Sequence, residues 1–354
     1  EYGLFLPIMK KIQTSNHLEL KIVATTMHFA EEFGNTYKQI EEDGFTINEK
    51  IENLLSSDTK SSVAKSTGLA IILLSDAFSR IKPDIVLLLG DRFETHAAAT
   101  TAMLMNIPIA HIHGGEITEG AIDEKIRHSI TKMSNLHLAS TEEYKNRVIQ
   151  MGECPESVFL VGAPGLDNIT NMDLLNRYEL ENTLNWRINK PTALFTYHPE
   201  TLSTNNVQEE IRKILSAIKS SAINVLFTYA NSDNGGRIIN NEIEKFALRD
   251  KTKYLVVKNL GQLKYLSAMK HLDVVIGNTS SGIIEAASFC KPVVNIGNRQ
   301  LGRLQSKNII NCTIENVEQS INKSITKNFL SICHNVVNIY GDGGSAEKIV
   351  KVLT

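Results

Sequence analysis

Short, nearly unbroken apolar runs recur along the whole chain, and each is followed by a longer stretch with the amphipathic spacing of a helix. In the first half the clearest runs are 85–89 (IVLLL), 108–113 (PIAHIH), 136–139 and 158–161. A polar stretch at 162–189, with Pro164 and Gly165 near its start, interrupts the pattern. It then restarts with 193–197 (ALFTY), 225–229 (VLFTY), 254–257 (YLVV), 274–276 and 293–296. Runs that are apolar on both faces are strands covered on both faces, so the pattern predicts parallel sheets flanked by helices. A length of 354 residues exceeds one ordinary core. The expected fold class is therefore α/β, with two Rossmann-like doubly wound domains facing across a cleft. The first is expected over 1–165, joined by a C-terminal helix at 345–354, and the second over 166–344. The chain opens on a predicted helix around Leu4 to Met9, followed by a predicted strand at 18–24. An α/β domain that starts on a helix lacks a strand ahead of it, so the first strand is expected to be missing.

Composition narrows the function. The net charge of −2 gives no electrostatic reason for a nucleic-acid or anionic-membrane partner. Cys154, Cys290, Cys312 and Cys333 are scattered with no C-x-x-C pair, which reads as reduced thiols rather than a disulfide framework or a zinc site. No apolar run has membrane-spanning length and no signal-peptide pattern opens the chain. A cytoplasmic protein is expected.

The chemistry-bearing residues cluster where strands end, the place where such sheets bind ligands. Gly90-Asp91-Arg92 follows IVLLL. Its plain reading is an Asp that caps the next helix with an Arg partner; the functional one is a carboxylate and a guanidinium at a binding rim. His111-Ile112-His113-Gly114-Gly115-Glu116 follows, then Asp123, Glu124, Arg127 and His128. Strand alternation would put His111 and His113 on one face, and the glycines would let the backbone approach a ligand. Asp123 with Arg127 and Glu124 with His128 fall four apart on a helix, so solvated helix pairs are the plain alternative. A metal site is the weaker reading, because no H-E-x-x-H spacing occurs. Histidines and carboxylates at a glycine-rich strand end favour acid–base chemistry. Ser140 and Glu143 fit a capping box for the following helix.

In the second half, His198-Pro199-Glu200 follows ALFTY, and Asn231-Ser232-Asp233 with Gly235-Gly236-Arg237 follows VLFTY; both also fit ordinary turns. The strongest signal is 277–285, Gly277-Asn278-Thr279-Ser280-Ser281-Gly282-Ile283-Ile284-Glu285. A strand ends in a hydroxyl-rich turn and a helix begins, an arrangement suited to phosphate, although a simple Thr/Ser cap explains it too. It matches neither the P-loop nor the dinucleotide fingerprint. Arg299 and Arg303 would add positive charge.

Taken in order, these motifs resemble the hydrolysing UDP-N-acetylglucosamine 2-epimerases of the sialic-acid pathway type, essentially end to end. They are Glu1-Tyr2-Gly3, Gly90-Asp91-Arg92, HIHGGE at 111–116, IDEKIRHSITKMS at 122–134 and YHPETLS at 197–203. Asn231-Ser232-Asp233, GNTSSGIIEA at 277–286 and NIGNRQLGR at 295–303 complete the series. The resemblance implies the GT-B fold, with the nucleotide on the second domain. It suggests Asp91 and Asp123 as catalytic carboxylates and His198 as a catalytic-side contact. Arg92, Asn231, Thr279, Ser280, Ser281, Gly282, Glu285 and Arg299 would bind the nucleotide sugar, with Glu285 on the ribose. Some relatives have Glu where this chain has His113, so the proton-transfer role falls to His113 or Glu116.

The implied reaction has two steps. Elimination of UDP gives a glycal, and addition of water gives free N-acetylmannosamine, with no metal or redox cofactor. Rival substrates and activities are a UDP- or GDP-linked diacetamido sugar of the diacetylbacillosamine type and non-hydrolysing epimerisation; a non-enzymatic nucleotide-sugar-binding protein is the reading from another class. A nucleotide-sugar substrate and a homo-oligomeric state, dimer or tetramer, are the expected partners.

Overall fold

The structure is a computed structural model that describes residues 2–31, 34–55, 59–119, 121–189, 191–200, 206–231 and 235–354. The chain forms two compact units. The first comprises the chain up to Ile117, then Ile122–Asn168 and Tyr340–Thr354; the second comprises Thr118–Ala121 and Ile169–Ile339.

In the first unit, β3 (Val86–Leu89), β4 (Ile109–Ile112), β5 (Leu136–Ala139) and β6 (Val158–Leu160) form a parallel sheet in that order. A separate parallel pair is formed by β1 (Ile22–Thr25) and β2 (Ile47–Ile51). The apolar runs are continuous because alternate residues serve opposite faces. Leu88 and Ile109 pack with Leu74 and Phe78 of the helix Lys60–Ile81. Leu89, Ala110, Ile112 and Leu138 pack with Ile8, Ile12 and Ile349 on another face. Ile8 and Ile12 come from the helix Tyr2–Gln13, and Ile349 from the C-terminal helix Ser345–Leu353. Strands β1 and β3 line a cavity of about 600 Å³ together with residues of the helices Tyr2–Gln13 and Lys60–Ile81.

The second unit is built on one six-stranded parallel sheet of β7 (Thr192–Thr196), β8 (Asn224–Thr228), β9 (Tyr254–Val257), β10 (Val274–Gly277), β11 (Val293–Ile296) and β12 (Ile309–Cys312). Its order is β12-β11-β10-β7-β8-β9. Ala193, Phe195, Val225, Phe227 and Ile276 fill the core on one face, Leu194, Leu226 and Val275 on the other. The chain runs outward from β7 to β9 and then returns to β10 on the opposite side of β7. That reversal places the topological switch point between the carboxyl ends of β7 and β10, where open α/β sheets leave a crevice.

Three local expectations are corrected. The cap of the helix Glu142–Gln150 is Thr141, whose hydroxyl accepts the Tyr144 N–H at 3.3 Å; Ser140 instead donates to the Glu116 carboxylate. Asp91 is not the cap of the helix Phe93–Leu104; that position is Arg92, without a side-chain cap. Strand alternation does not carry through His113, because β4 ends at Ile112 and His113 turns into the left-handed region at φ 69°.

Candidate functional site

Two clusters of polar residues stand at strand carboxyl ends, one in each unit. In the first, Arg127 is the hub. It lies on the helix Asp123–Met133 and its side chain is fully buried. A buried guanidinium must be matched by acceptors. Here it is bonded to the Asp91 carboxylate, donates through Nη1 to the Glu116 carbonyl at 2.8 Å, and reaches Glu124 at 3.3 Å. Arg92, the neighbour of Asp91, pairs instead with Glu94 at 2.8 Å. Asp123 is the first residue of the Arg127 helix and is half-buried. Glu124 also meets His128 Nε2 at 3.0 Å, the expected pair four residues apart.

His113 and Glu116 form a second knot in this cluster. His113 Nδ1 lies 2.5 Å from Glu116 Oε1, which also accepts the Ser140 hydroxyl at 2.8 Å. The His113 N–H donates to the Leu138 carbonyl of β5. Gly115, at φ 80°, runs so close to the Tyr144 carbonyl that a Cβ would collide with it, and Arg147 donates to the Gly115 carbonyl at 2.6 Å. The close approach of this glycine is therefore spent on the protein's own helix. His111 is part of the core. Its Nε2 donates to the Gly90 carbonyl at 2.8 Å, Thr131 Oγ1 lies 3.3 Å from Nδ1, and burial pushes its pKa down to about 4.

In the second unit the cluster sits at the switch point. Asn278, fully buried, links the ends of β7 and β10: its Oδ1 accepts the His198 N–H at 2.7 Å and its Nδ2 donates to the His198 carbonyl at 2.8 Å. His198 Nδ1 accepts the Asn231 N–H at 3.1 Å, which ties in the end of β8. Gly277, at φ 135°, has no room for a side chain because a Cβ would strike the Thr196 carbonyl. Thr279 caps the short helix Ser280–Ile284, accepting the Ser281 N–H at 3.4 Å. Thr279, Ser280 and Ser281 are half-buried, whereas Gly282, Glu285 and Arg299 are buried. Glu200 accepts the Asn298 N–H at 2.6 Å, and burial raises its pKa. Ser232, Asp233 and residues 201–203, like Glu1, lie outside the described residues.

The structure thus brings Asp91, His113, Glu116 and the start of the Asp123 helix together in the first unit. It brings His198, Asn231, Thr279–Gly282 and Glu285 to one sheet end in the second. Of three supporting residues, sequence reading named Arg127 only within a helix pair and Asn278 only within the 277–285 turn, and it did not name Tyr265. Arg127 had a signal, its position on the DEKIRH helix; Asn278 had one in the GNTSSG turn. Tyr265 had none. Its hydroxyl is buried beside Ser281, Thr196 and Thr279, and burial raises its pKa. Among the described residues no group of three or more His, Cys, Asp or Glu could hold a metal ion, and no helix is long and apolar enough to cross a membrane.

Two Rossmann-like units of parallel α/β structure, one with an anion-suited turn at its switch point, define the GT-B class. Residues 10–354 match the family model described as UDP-N-acetylglucosamine 2-epimerase, and the chain belongs to that family of enzymes. It is 44% identical over 93% of its length to the GDP/UDP-N,N'-diacetylbacillosamine 2-epimerase (hydrolyzing) of Campylobacter jejuni, covering 86% of that protein. It is 35% identical over its whole length to the UDP-N,N'-diacetylbacillosamine 2-epimerase (hydrolyzing) of Legionella pneumophila, covering 92% of it. Among solved structures, the UDP-GlcNAc 2-epimerase of Neisseria meningitidis bound to UDP-GlcNAc aligns with a TM-score of 0.82 at 20% identity, over 99% of this chain and 96% of that one. The relatives thus move the substrate expectation away from the sialic-acid type.

Proposed function

We propose that this protein is a hydrolysing 2-epimerase acting on a nucleotide-linked diacetamido sugar of the diacetylbacillosamine type. The observation that carries the substrate is the 44% identity to an enzyme named for it, and UDP-N-acetylglucosamine is the second reading. In the mechanism, the nucleoside diphosphate is held at the switch point of the second unit. The Thr279–Gly282 turn offers backbone N–H groups and hydroxyls to the phosphates, Arg299 adds charge, and Glu285 accepts from the ribose hydroxyls. His198, Asn231 and Arg92 contact the sugar end. Stabilisation of the departing diphosphate is electrostatic. Inversion at C2 requires the proton to leave one face and return on the other, so two groups must share the work. Asp91, Asp123 and the His113–Glu116 pair supply them.

The test is incubation of the purified protein with UDP- and GDP-linked diacetylbacillosamine and with UDP-N-acetylglucosamine, in deuterated water. Free sugar carrying deuterium at C2 and free nucleoside diphosphate are the expected products, fastest with a diacetamido donor. An epimer still joined to its nucleotide would replace the hydrolysing reading with a non-hydrolysing one. Binding without turnover of any donor would leave a nucleotide-sugar-binding protein.

A further inference from the structure

Two histidines stand two residues apart at the end of β4, and they are built differently. His111 has both ring nitrogens occupied, Nε2 by the Gly90 carbonyl and Nδ1 by the Thr131 hydroxyl, and it is wholly buried. It is a core residue. His113 has Nδ1 against Glu116 at 2.5 Å, while Nε2 makes no hydrogen bond among the described residues and the side chain is not fully sealed, at 7% exposure. Its backbone is held at φ 69°, a conformation an L residue adopts at some energetic cost and one concentrated at functional sites.

Glu116 is anchored from three sides. Its carboxylate takes His113 Nδ1 and the Ser140 hydroxyl, its carbonyl takes Arg127, and only 1% of it is exposed. A carboxylate so enclosed cannot reach a sugar. It can fix the imidazole beside it, since a carboxylate accepting from Nδ1–H leaves the lone pair on Nε2.

We propose that Glu116 and Ser140 are positioning residues that hold His113 with Nε2 as the acceptor of the sugar C2 proton; the proposal rests on the 2-epimerase reading. As the proton passes to Nε2, the C2–H electron pair forms the C1=C2 bond and the C1–O pair leaves with the nucleoside diphosphate. Water then adds across the double bond, its hydroxyl to C1, and C2 receives its proton on the opposite face. One imidazole cannot serve both faces, so the returning proton comes from a group other than His113. The sequence left the proton-transfer role open between residues 113 and 116; the geometry gives the reacting atom to the first and the support to the second.

The test uses the full chain and a double-mutant cycle. Glu116→Gln, which keeps shape but loses charge, should lower kcat by about 10²-fold with KM changed by no more than about threefold. Ser140→Ala, which removes one neutral hydrogen bond from the carboxylate, should cost about three- to tenfold in kcat. Added to His113→Gln, the Glu116→Gln change should have almost no further effect, because its influence passes through the missing imidazole. A second full loss in that double variant, or a Glu116→Gln defect matched by unfolding, overturns the proposal. Nitrogen-15 NMR of the wild-type imidazole gives a readout that needs no turnover. Protonated Nδ1 with bare Nε2, shifted in Glu116→Gln, is expected, and the opposite tautomer overturns the proposal. If no sugar nucleotide is turned over, the 2-epimerase reading fails while the tautomer still decides the geometry.

Discussion

Asp91 and Asp123 carry the same chemical group but sit in different surroundings, so their substitutions should separate. Asp91 compensates a guanidinium that is fully buried, whereas Asp123 stands half-buried at a helix start. Both Asp91→Asn and Asp123→Asn should lower kcat by about 10²-fold or more with nucleotide affinity retained. Only the first should also destabilise the fold, by about 3 kcal/mol, because breaking a buried ion pair leaves an unmatched charge. Denaturant unfolding of the two variants measures the difference; equal stability would mean that Arg127 is satisfied without Asp91. His111 gives a pH-dependent counterpart. Its pKa falls from 6.5 to about 4 on folding, so between those values the unfolded chain binds a proton that the folded one refuses. Its contribution is complete above pH 6.5 and is lost as the pH falls towards 4, by an amount on the order of 3 kcal/mol. His111→Gln, whose amide can still donate to the Gly90 carbonyl, should flatten stability against pH in that window relative to wild type. His96 and His137, also lowered by burial, remain in both proteins, so the difference between the two curves isolates His111.

Strand ends are the elements on which the site depends, and the tightest is the junction of β7 and β10. At Gly277 the φ of 135° and the Thr196 carbonyl both exclude a side chain. Gly277→Ala must therefore push β10 from β7 or distort the turn that follows. A loss of a few kcal/mol in stability is expected, together with weaker UDP binding measured by calorimetry. Unchanged UDP affinity in a destabilised but folded variant would place the nucleotide away from this turn. The central strands were legible because their apolar runs admit no other reading, and β5, β9 and β11 have the expected ends. Strand β2, with the sequence INEKI, gives little signal because only Ile47 and Ile51 are apolar and only Ile51 is buried, the other residues being half-buried or exposed. Strand β12, at the sheet edge, gave an equally weak signal. The candidate site was legible as separate motifs and not as an assembly. Nothing in the sequence joins Asp91 to Arg127, 36 residues away, or draws Ser140 from its expected cap to Glu116. Such pairings depend on which strands are neighbours, and sheet order is a property of the folded chain.

At the scale of the whole chain, the first unit is completed by residues from both ends of the sequence. Ile349 and Ala346 of the helix Ser345–Leu353 share a core cluster with Ile8 and Ile12 of the helix Tyr2–Gln13. One residue fastens the returning helix. Asp167 accepts the Ser345 N–H at 2.9 Å and the Ala346 N–H at 2.7 Å, satisfying two donors at a helix start whose cap position is Gly344. Asp167 is 1% exposed, so in the intact fold bulk water does not compete for those donors. Asp167→Ala should cost about 1–2 kcal/mol, in the range of a lost helix cap. The loss should also be local, because Asp167 and the helix it caps both belong to the first unit. In hydrogen exchange, amides of the C-terminal helix and of the helix Tyr2–Gln13 should lose protection together, since they share a core. Amides of β7 and β10, buried in the second unit, should keep theirs. Protection lost equally in both units would mean that the second unit depends on the returning helix; protection retained everywhere would show that the apolar contacts of Ala346 and Ile349 hold the helix without its cap.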